Sequence, residues 1–169
     1  MACRILLADE SPVVTAHVRL LLEGAGFVVI GVANDGFEAV TRAQDLQPDV
    51  IVLDHNMPRM NGLDVALTLR SASPGIRPIF LTQDVEEYLV VAAFRAGARA
   101  FVVKVDLAED LTRAIREVSR GRVFLSPGAC GAVMKGWMEL AGSPRGSSQR
   151  DNNAADRMGT PNAAGRTQP

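Results

Sequence analysis

The fold of this chain is decided by the stretch Val50-Ile51-Val52-Leu53-Asp54, in which four large apolar residues precede an acid. A short apolar run rich in β-branched residues is typical of a strand buried on both faces of a parallel sheet. Four more runs of this kind are Ile5-Leu6-Leu7-Ala8, Val28-Val29-Ile30, Ile79-Phe80-Leu81 and Ala100-Phe101-Val102-Val103. Apolar residues at helical spacing lie between and after the runs, so the sequence predicts five strands alternating with five helices. This alternation indicates a doubly wound α/β domain, although periodicity alone does not give the strand order.

Composition divides the chain into three parts. Residues 1–121 contain the strand and helix patterns. Residues 122–141 are predicted to form a linker with an extra helix, because Val133 and Trp137 recur at helical spacing. Residues 142–169 are polar and too poor in large apolar side chains to form a core, so we expect a disordered tail.

Bulk properties exclude several classes of protein. The 169-residue chain has a formal net charge of -1, which argues against a general nucleic-acid or membrane-surface binder. Its two cysteines, Cys3 and Cys130, are far apart in sequence, so neither a disulfide framework nor a structural zinc site is expected. No apolar stretch approaches the ~20 residues that span a bilayer, and acids occur too early for a signal peptide. We therefore expect a cytoplasmic protein.

Polar residues follow four of the five predicted strands. Asp9 and Glu10 come after the first strand, Asp54 after the third, Thr82 after the fourth and Lys104 after the fifth. Functional groups in a doubly wound sheet gather beyond the carboxyl ends of the strands, so these side chains should converge. Three carboxylates close together repel unless a cation sits among them, and hard oxygen ligands favour Mg²⁺. Lys104 supplies a positive charge for an incoming phosphoryl group and Thr82 a hydroxyl donor, which makes Asp54 a candidate nucleophile.

Each of these residues also has an ordinary structural interpretation. An Asp at a strand end is commonly a helix N-cap or a turn former, a Thr there is often a capping hydroxyl, and a Lys is usually a solvated boundary residue. Such explanations would have to apply independently at four strand ends. The joint occurrence therefore favours a functional site.

From Arg4 to about Gly121 the chain resembles the receiver domain of bacterial two-component response regulators. The residues that carry the resemblance are Asp9-Glu10, the stretch Leu53-Asp54-His55-Asn56-Met57-Pro58-Arg59-Met60-Asn61-Gly62, Leu81-Thr82, and Gly97-Ala98-Arg99-Ala100-Phe101-Val102-Val103-Lys104. The resemblance implies a flavodoxin-like fold, which is a (βα)5 doubly wound parallel sheet with strand order 2-1-3-4-5.

The resemblance also implies an acceptor and a metal site. Asp54 would accept a phosphoryl group from the phosphohistidine of a sensor histidine kinase or a phosphotransfer protein. Mg²⁺ would be held by Glu10, Asp54 and the backbone carbonyl of Asn56, with Asp9 acting mainly through water. The implied cofactor is therefore Mg²⁺.

Three further residues and one surface receive roles from the resemblance. Thr82 and Lys104 would contact the phosphoryl oxygens. Thr82 and Phe101 would be the switch residues, with Phe101 as the switch aromatic. In receivers the face formed by the fourth helix, the fifth strand and the fifth helix is the common output surface, so we expect a downstream protein partner there. A homodimer is a second assembly that the sequence leaves open.

The opening and closing segments are similar to the receivers of LuxR-like transcription regulators. These segments are Asp9-Glu10-Ser11-Pro12-Val13-Val14 and Arg122-Val123-Phe124-Leu125-Ser126-Pro127. Such receivers normally lead into a linker helix and a helix-turn-helix domain. The polar tail stands in place of that domain and has no recognition helix, which argues against direct DNA binding.

Two other functions are alternatives to a phosphorylation switch. Phosphatases of the haloacid-dehalogenase type also use an Asp nucleophile at a strand end, but they carry a second acid two residues later, where this chain has Asn56. An interaction scaffold that no longer uses phosphorylation would be expected to lose the acceptor, an acid or the lysine, and none of these is lost. We therefore expect a signalling receiver that catalyses only its own phosphorylation and dephosphorylation, and not an enzyme with an external substrate.

Overall fold

The computed structural model describes residues 2–83 and 85–142. Within this part of the chain, six parallel strands form one sheet in the order β2-β1-β3-β4-β5-β6. The strands are β1 (Arg4–Ala8), β2 (Val28–Ala33), β3 (Val50–Leu53), β4 (Arg77–Thr82), β5 (Ala100–Val103) and β6 (Phe124–Leu125). The helices are α1 (Pro12–Gly24), α2 (Gly36–Leu46), α3 (Gly62–Ala72), α4 (Glu87–Ala96), α5 (Leu107–Ser119) and α6 (Pro127–Gly142), and a short 3-10 turn spans Lys104–Asp106.

The sheet is buried between two layers of helices. Ile51 and Leu53 of β3 pack into one core with residues of α2, α3 and α4. Val50 and Val52 pack into a second core with residues of α1 and α5. Because successive residues of a strand point to opposite faces, an uninterrupted apolar run supplies both cores. This two-sided burial explains why the strand sequences lack the alternation of half-exposed strands.

The predicted doubly wound α/β fold and the strand order 2-1-3-4-5 are confirmed. The structure adds a sixth strand, because Phe124 and Leu125 pair in parallel with Ala100 and Phe101. The guanidinium of Arg113 in α5 lies 5.6 Å from the centre of the Phe124 ring, which is within the range of a cation–π interaction. The edge of the sheet is therefore extended beyond β5 by a strand too short to produce an apolar run in the sequence.

The C-terminal segment continues from this strand into α6. The helix lies in the segment where the sequence predicts an extra helix, and it packs against α4 and β5. The predicted tail, 142–169, lies outside the described residues apart from its first residue, and the side chains of Trp137 and Leu140 are also outside them. None of the described helices is long and apolar enough to cross a membrane.

Candidate functional site

Asp54 directly follows β3 at the carboxyl edge of the sheet. Its backbone N–H donates a hydrogen bond to the carbonyl of Ala8 at 2.8 Å, which fixes the residue beside the end of β1. The residue is only 8% exposed, and its Oδ1 accepts the N–H of His55 at 2.9 Å. Its other oxygen, Oδ2, faces Lys104. One carboxylate oxygen is thus engaged by backbone, and the second faces a cation.

Asp9 is held in a similar way after β1. Its backbone N–H donates to the carbonyl of Ala33 at the end of β2, at 3.1 Å. Its Oδ1 accepts the N–H of Ser11 at 2.8 Å, and the residue is 6% exposed. Two buried acids are therefore fixed at the ends of adjacent strands.

Lys104 forms ion pairs with both of these acids. Its Nζ lies 2.6 Å from Oδ2 of Asp9 and 3.3 Å from Oδ2 of Asp54, and its side chain is largely buried. The residue opens the 3-10 turn after β5, so the position of its backbone is set by the sheet edge. A cation between two carboxylates offsets part of their mutual repulsion.

The surroundings of Asp54 change its acidity. Burial raises the pKa of the Asp54 carboxyl above its ordinary value, because a low-dielectric environment disfavours the charged form. The Lys104 ammonium opposes this rise in pKa, whereas the charge of Asp9 adds to it. A further cation beside Asp54 would favour the ionised form, which is the nucleophilic one.

The remaining predicted residues surround a cleft of about 290 Å³ beside Asp54. Thr82 is the last residue of β4 and is buried, whereas Glu10 and Asn56 are exposed at the rim. The residues that line the cleft are Asp9, Glu10, Ser11, Val14, Asp54, Asn56, Thr82, Gln83 and Lys104. The strand-end residues singled out from the sequence therefore meet in one place.

Phe101, the predicted switch aromatic, does not line the cleft. It is fully buried in β5, and its ring stacks parallel to that of Phe80 with centroids 6.1 Å apart. Its backbone carbonyl accepts the N–H of Ser126 at 3.0 Å. The residue thus connects the core behind the cleft with the segment that follows α5.

The family of the chain follows from a comparison of its sequence with known protein families. The family model of the response regulator receiver domain matches residues 5–116 of the chain. The chain belongs to this family. Receiver domains are signalling modules and not enzymes that turn over an external substrate, so the phosphatase alternative loses its support.

Two curated relatives illustrate the extent of the match. The receiver is 38% identical over 123 residues to the uncharacterized transcriptional regulatory protein YxjL of Bacillus subtilis. The aligned region covers 72% of this chain and 56% of YxjL. It is 30% identical over 120 residues to the chemotaxis protein CheY of Thermotoga maritima. This aligned region covers 71% of this chain and 100% of CheY. The chain therefore spans just over half of YxjL but the whole of CheY.

Solved structures agree with the expected LuxR-like character of the receiver. A LuxR-family two-component response regulator from Aurantimonas sp. SI85-9A1 superposes with a TM-score of 0.75 at 28% identity, covering 82% of this chain and 99% of that one. The signal receiver domain of NarL from Mycobacterium tuberculosis superposes with a TM-score of 0.69 at 30% identity, covering 72% and 98% of the two chains. The expectation of a LuxR-like receiver is confirmed.

The oxygen donors of the receiver suit Mg²⁺. Magnesium is usually bound by one or two carboxylates and keeps several waters. The cleft contains the acids Asp9, Glu10 and Asp54, together with Asn56. Among the described residues, no three His, Cys, Asp or Glu side chains are grouped closely enough to hold a metal by themselves. The carboxylates and the amide group of the cleft are oxygen donors of the kind that Mg²⁺ accepts.

Gly62 allows the loop after β3 to pack closely against the backbone of Asp54. Its N–H donates to the carbonyl of His55 at 3.0 Å, and Asn61 caps α3 by accepting the N–H of Asp64 at 3.0 Å. A Cβ on Gly62 would lie 2.3 Å from the carbonyl oxygen of Asp54. A side chain at this position would therefore require the loop or the backbone of Asp54 to move.

Sequence reasoning missed the support for this loop provided by Arg59. The residue has a φ of 66°, in the left-handed region that few non-glycine residues adopt. Its guanidinium lies 2.5 Å from Oδ2 of Asp35, the N-cap of α2, and this contact lowers the pKa of the Asp35 carboxyl. Nothing in the local sequence signals the strained backbone, because the ion pair that accompanies it joins residues from different loops.

Proposed function

We propose that this receiver is a phosphorylation switch in which Asp54 accepts a phosphoryl group from a phosphohistidine. The observation that carries the proposal is the position of the Lys104 ammonium, 2.6 Å from the carboxylate of Asp9 and 3.3 Å from that of Asp54. The ammonium favours the ionised form of Asp54, although burial opposes it. It also lies where negative charge would accumulate when a phosphoryl group joins Asp54.

The transfer itself makes one bond and breaks one. Oδ1 of Asp54 is engaged by the His55 N–H, so Oδ2 is the attacking oxygen. A bond forms between Oδ2 and phosphorus, the bond between phosphorus and the donor imidazole nitrogen breaks, and the released imidazole takes up a proton from solvent. Lys104 would then contact a phosphoryl oxygen, and the hydroxyl of Thr82 would donate to another.

Four residues of the cleft are proposed to hold Mg²⁺. The ion, when bound, neutralises charge on the acids and on the phosphoryl oxygens. Glu10, Asp54 and the backbone carbonyl of Asn56 would bind it directly. Asp9 already bonds Lys104 at 2.6 Å, which agrees with a role through water.

Signalling would follow if the phosphoryl group stabilises a conformation that binds a partner better. The proposed donor is a sensor histidine kinase or a phosphotransfer protein, and the proposed output is binding to a second protein or to a second copy of the receiver. Two relatives that are named as transcriptional regulators are matched over only 56% and 63% of their own length. The output proposed for the receiver is protein binding.

Intact-mass spectrometry with a small phosphodonor and Mg²⁺ tests the proposal. The wild-type protein should gain one phosphoryl group, and Asp54→Asn should gain none. Asp45→Asn is a matched control, since it removes an exposed acid near the C-terminal end of α2, and it should label like the wild type. Equal labelling of Asp54→Asn would overturn the assignment. A wild-type protein that never labels would instead favour the phosphorylation-independent scaffold.

A further inference from the structure

The face expected to bind a partner is partly covered by the chain's own C-terminal segment. β6 lies beside β5, and α6 packs against α4 and β5. Ala129 of α6 is completely buried in the same core as Phe101 and Val103 of β5, and Val133 packs against that core. The surface formed by α4 and β5, which we name the α4–β5 surface, is therefore occupied by a helix.

Ser126 attaches this segment to β5 through two hydrogen bonds. Its N–H donates to the carbonyl of Phe101 at 3.0 Å, and its Oγ accepts the N–H of Val103 at 3.3 Å. The residue is 0% exposed, so water does not readily replace these contacts. The segment is thus hydrogen-bonded to the residue that directly precedes Lys104.

Val103 connects this attachment with the phosphorylation site. It lies opposite Thr82 in the ladder between β4 and β5, and Lys104 follows it in the chain. A Cβ on Gly128, near the start of α6, would lie 3.2 Å from Cγ2 of Val103. The side chain of Val103 is therefore in close contact with α6. If Lys104 or Thr82 shifted toward a phosphoryl group, Val103 would move with them and change the packing of α6.

The composition of α6 makes it dependent on this docking. The helix contains Gly128, Gly131 and Gly136 within its bounds. Glycine in a helix interior is destabilising relative to alanine, because it loses more backbone entropy on folding. The packing of Ala129 and Val133 against the core must therefore supply much of the stability of α6.

We propose that the α4–β5 surface is a helix-binding surface, that α6 is its resting occupant, and that phosphorylation of Asp54 loosens α6 so that a partner helix can replace it. The trigger rests on the proposed function, whereas the occupancy of the surface rests on the contacts of Ser126, Gly128 and Ala129. The partner segment is an amphipathic helix with small residues on its docking face, because even a Cβ at Gly128 would lie only 3.2 Å from Cγ2 of Val103.

Hydrogen exchange of the full chain tests the trigger. Amides of residues 129–134 are expected to exchange roughly 5- to 150-fold faster after treatment with a small phosphodonor and Mg²⁺, the range that typical coupling free energies produce. Asp54→Asn should show no such change. The intact mass of each sample reports whether Asp54 is labelled. Unchanged exchange in a labelled protein would overturn the inference and leave the proposed function standing, whereas a missing label would overturn the proposed function.

A second measurement tests the surface without phosphorylation. Gly128→Val should clash with Val103 and release α6, whereas Gly131→Val is a matched control, because no heavy atom lies within 4 Å of an added Cβ there. A fluorescent peptide with the sequence of residues 127–142 should bind the full-length Gly128→Val protein at least about tenfold tighter than wild type or Gly131→Val, since the surface is then unoccupied. Fluorescence anisotropy gives the affinities. Equal affinity for all three proteins would overturn the claim that this surface accepts a helix.

Discussion

The ammonium of Lys104 lies 2.6 Å from Oδ2 of Asp9, and this contact is shorter than its contact with Asp54. The lysine is therefore held mainly by the acid that is not the proposed acceptor. A phosphoryl group on Asp54 would compete with Asp9 for the same ammonium. The pairing of Lys104 with Asp9 is thus the resting arrangement of the site.

Replacing Lys104 should destabilise the protein in the absence of Mg²⁺. Lys104→Met leaves the buried carboxylates of Asp9 and Asp54 facing each other without a cation. Breaking a buried ion pair typically costs about 3–5 kcal/mol, and we expect up to this loss in the free energy of unfolding, measured with urea in the presence of a chelator. The double variant Lys104→Met with Asp9→Asn should recover most of the loss, because the repulsion is then removed. A double variant no more stable than Lys104→Met would show that repulsion is not the cause.

The pH dependence of stability should show the raised pKa of Asp54. Burial raises the pKa of this carboxyl in the folded protein, so the folded state binds the proton more tightly than the unfolded state does. The ionised carboxyl therefore destabilises the fold above its folded pKa, and this penalty is relieved as the pH falls toward the ordinary Asp value of about 3.9. Asp54→Asn should be more stable than wild type near neutral pH without Mg²⁺, and the difference should shrink on acidification. Urea unfolding across this pH range measures it, and a difference that grows on acidification would contradict the prediction.

Magnesium should stabilise the folded protein through the same cleft. A ligand that binds only the folded state at about 100 times its Kd adds about 2.7 kcal/mol, which corresponds to a rise of several °C in Tm for a domain of this size. The double change Asp9→Asn with Glu10→Gln should abolish the rise, and Asp45→Asn should leave it intact. Thermal melts with and without millimolar Mg²⁺ decide the matter. A shift that persists in the double variant would place the metal elsewhere.

Gly62 should tolerate no side chain. In Gly62→Ala the new Cβ would lie 2.3 Å from the carbonyl oxygen of Asp54, so either the loop or Asp54 must move. Overpacking of this kind costs about 1–3 kcal/mol, and labelling of Asp54 should slow as well. Gly75→Ala is the control, because nothing lies within 4 Å of a Cβ there. Equal stability of the two variants would show that the loop after β3 is not constrained as described.

The main features of the fold could be predicted because they depend on long patterns. β3 is buried on both faces, so its sequence is an uninterrupted apolar run, and Asp54 follows the run directly. The strand order came from the resemblance to receivers, since periodicity carries no information on which strands are neighbours. β6 escaped prediction because it has two residues and its pairing with Ala100 and Phe101 is a tertiary effect.

The convergence of the site could also be predicted, but its internal pairing could not. Parallel strands end at one edge of the sheet, so Asp9, Asp54 and Lys104 were expected to be close. Which carboxylate the ammonium contacts more closely depends on the 3-10 turn after β5 and on the bond between Asp9 and the N–H of Ser11. These are details of local backbone geometry that no spacing of residue types encodes.

The most direct test of this account is to locate the phosphoryl group on the chain. Borohydride reduces the acyl phosphate of an aspartate to homoserine, and the change in mass identifies the residue in a peptide map. After treatment with a small phosphodonor and Mg²⁺, we predict one reduced residue, at Asp54, and no reduced residue in Asp54→Asn. Reduction at Asp9, at Glu10 or at any other acid in place of Asp54 would contradict the assignment of the acceptor.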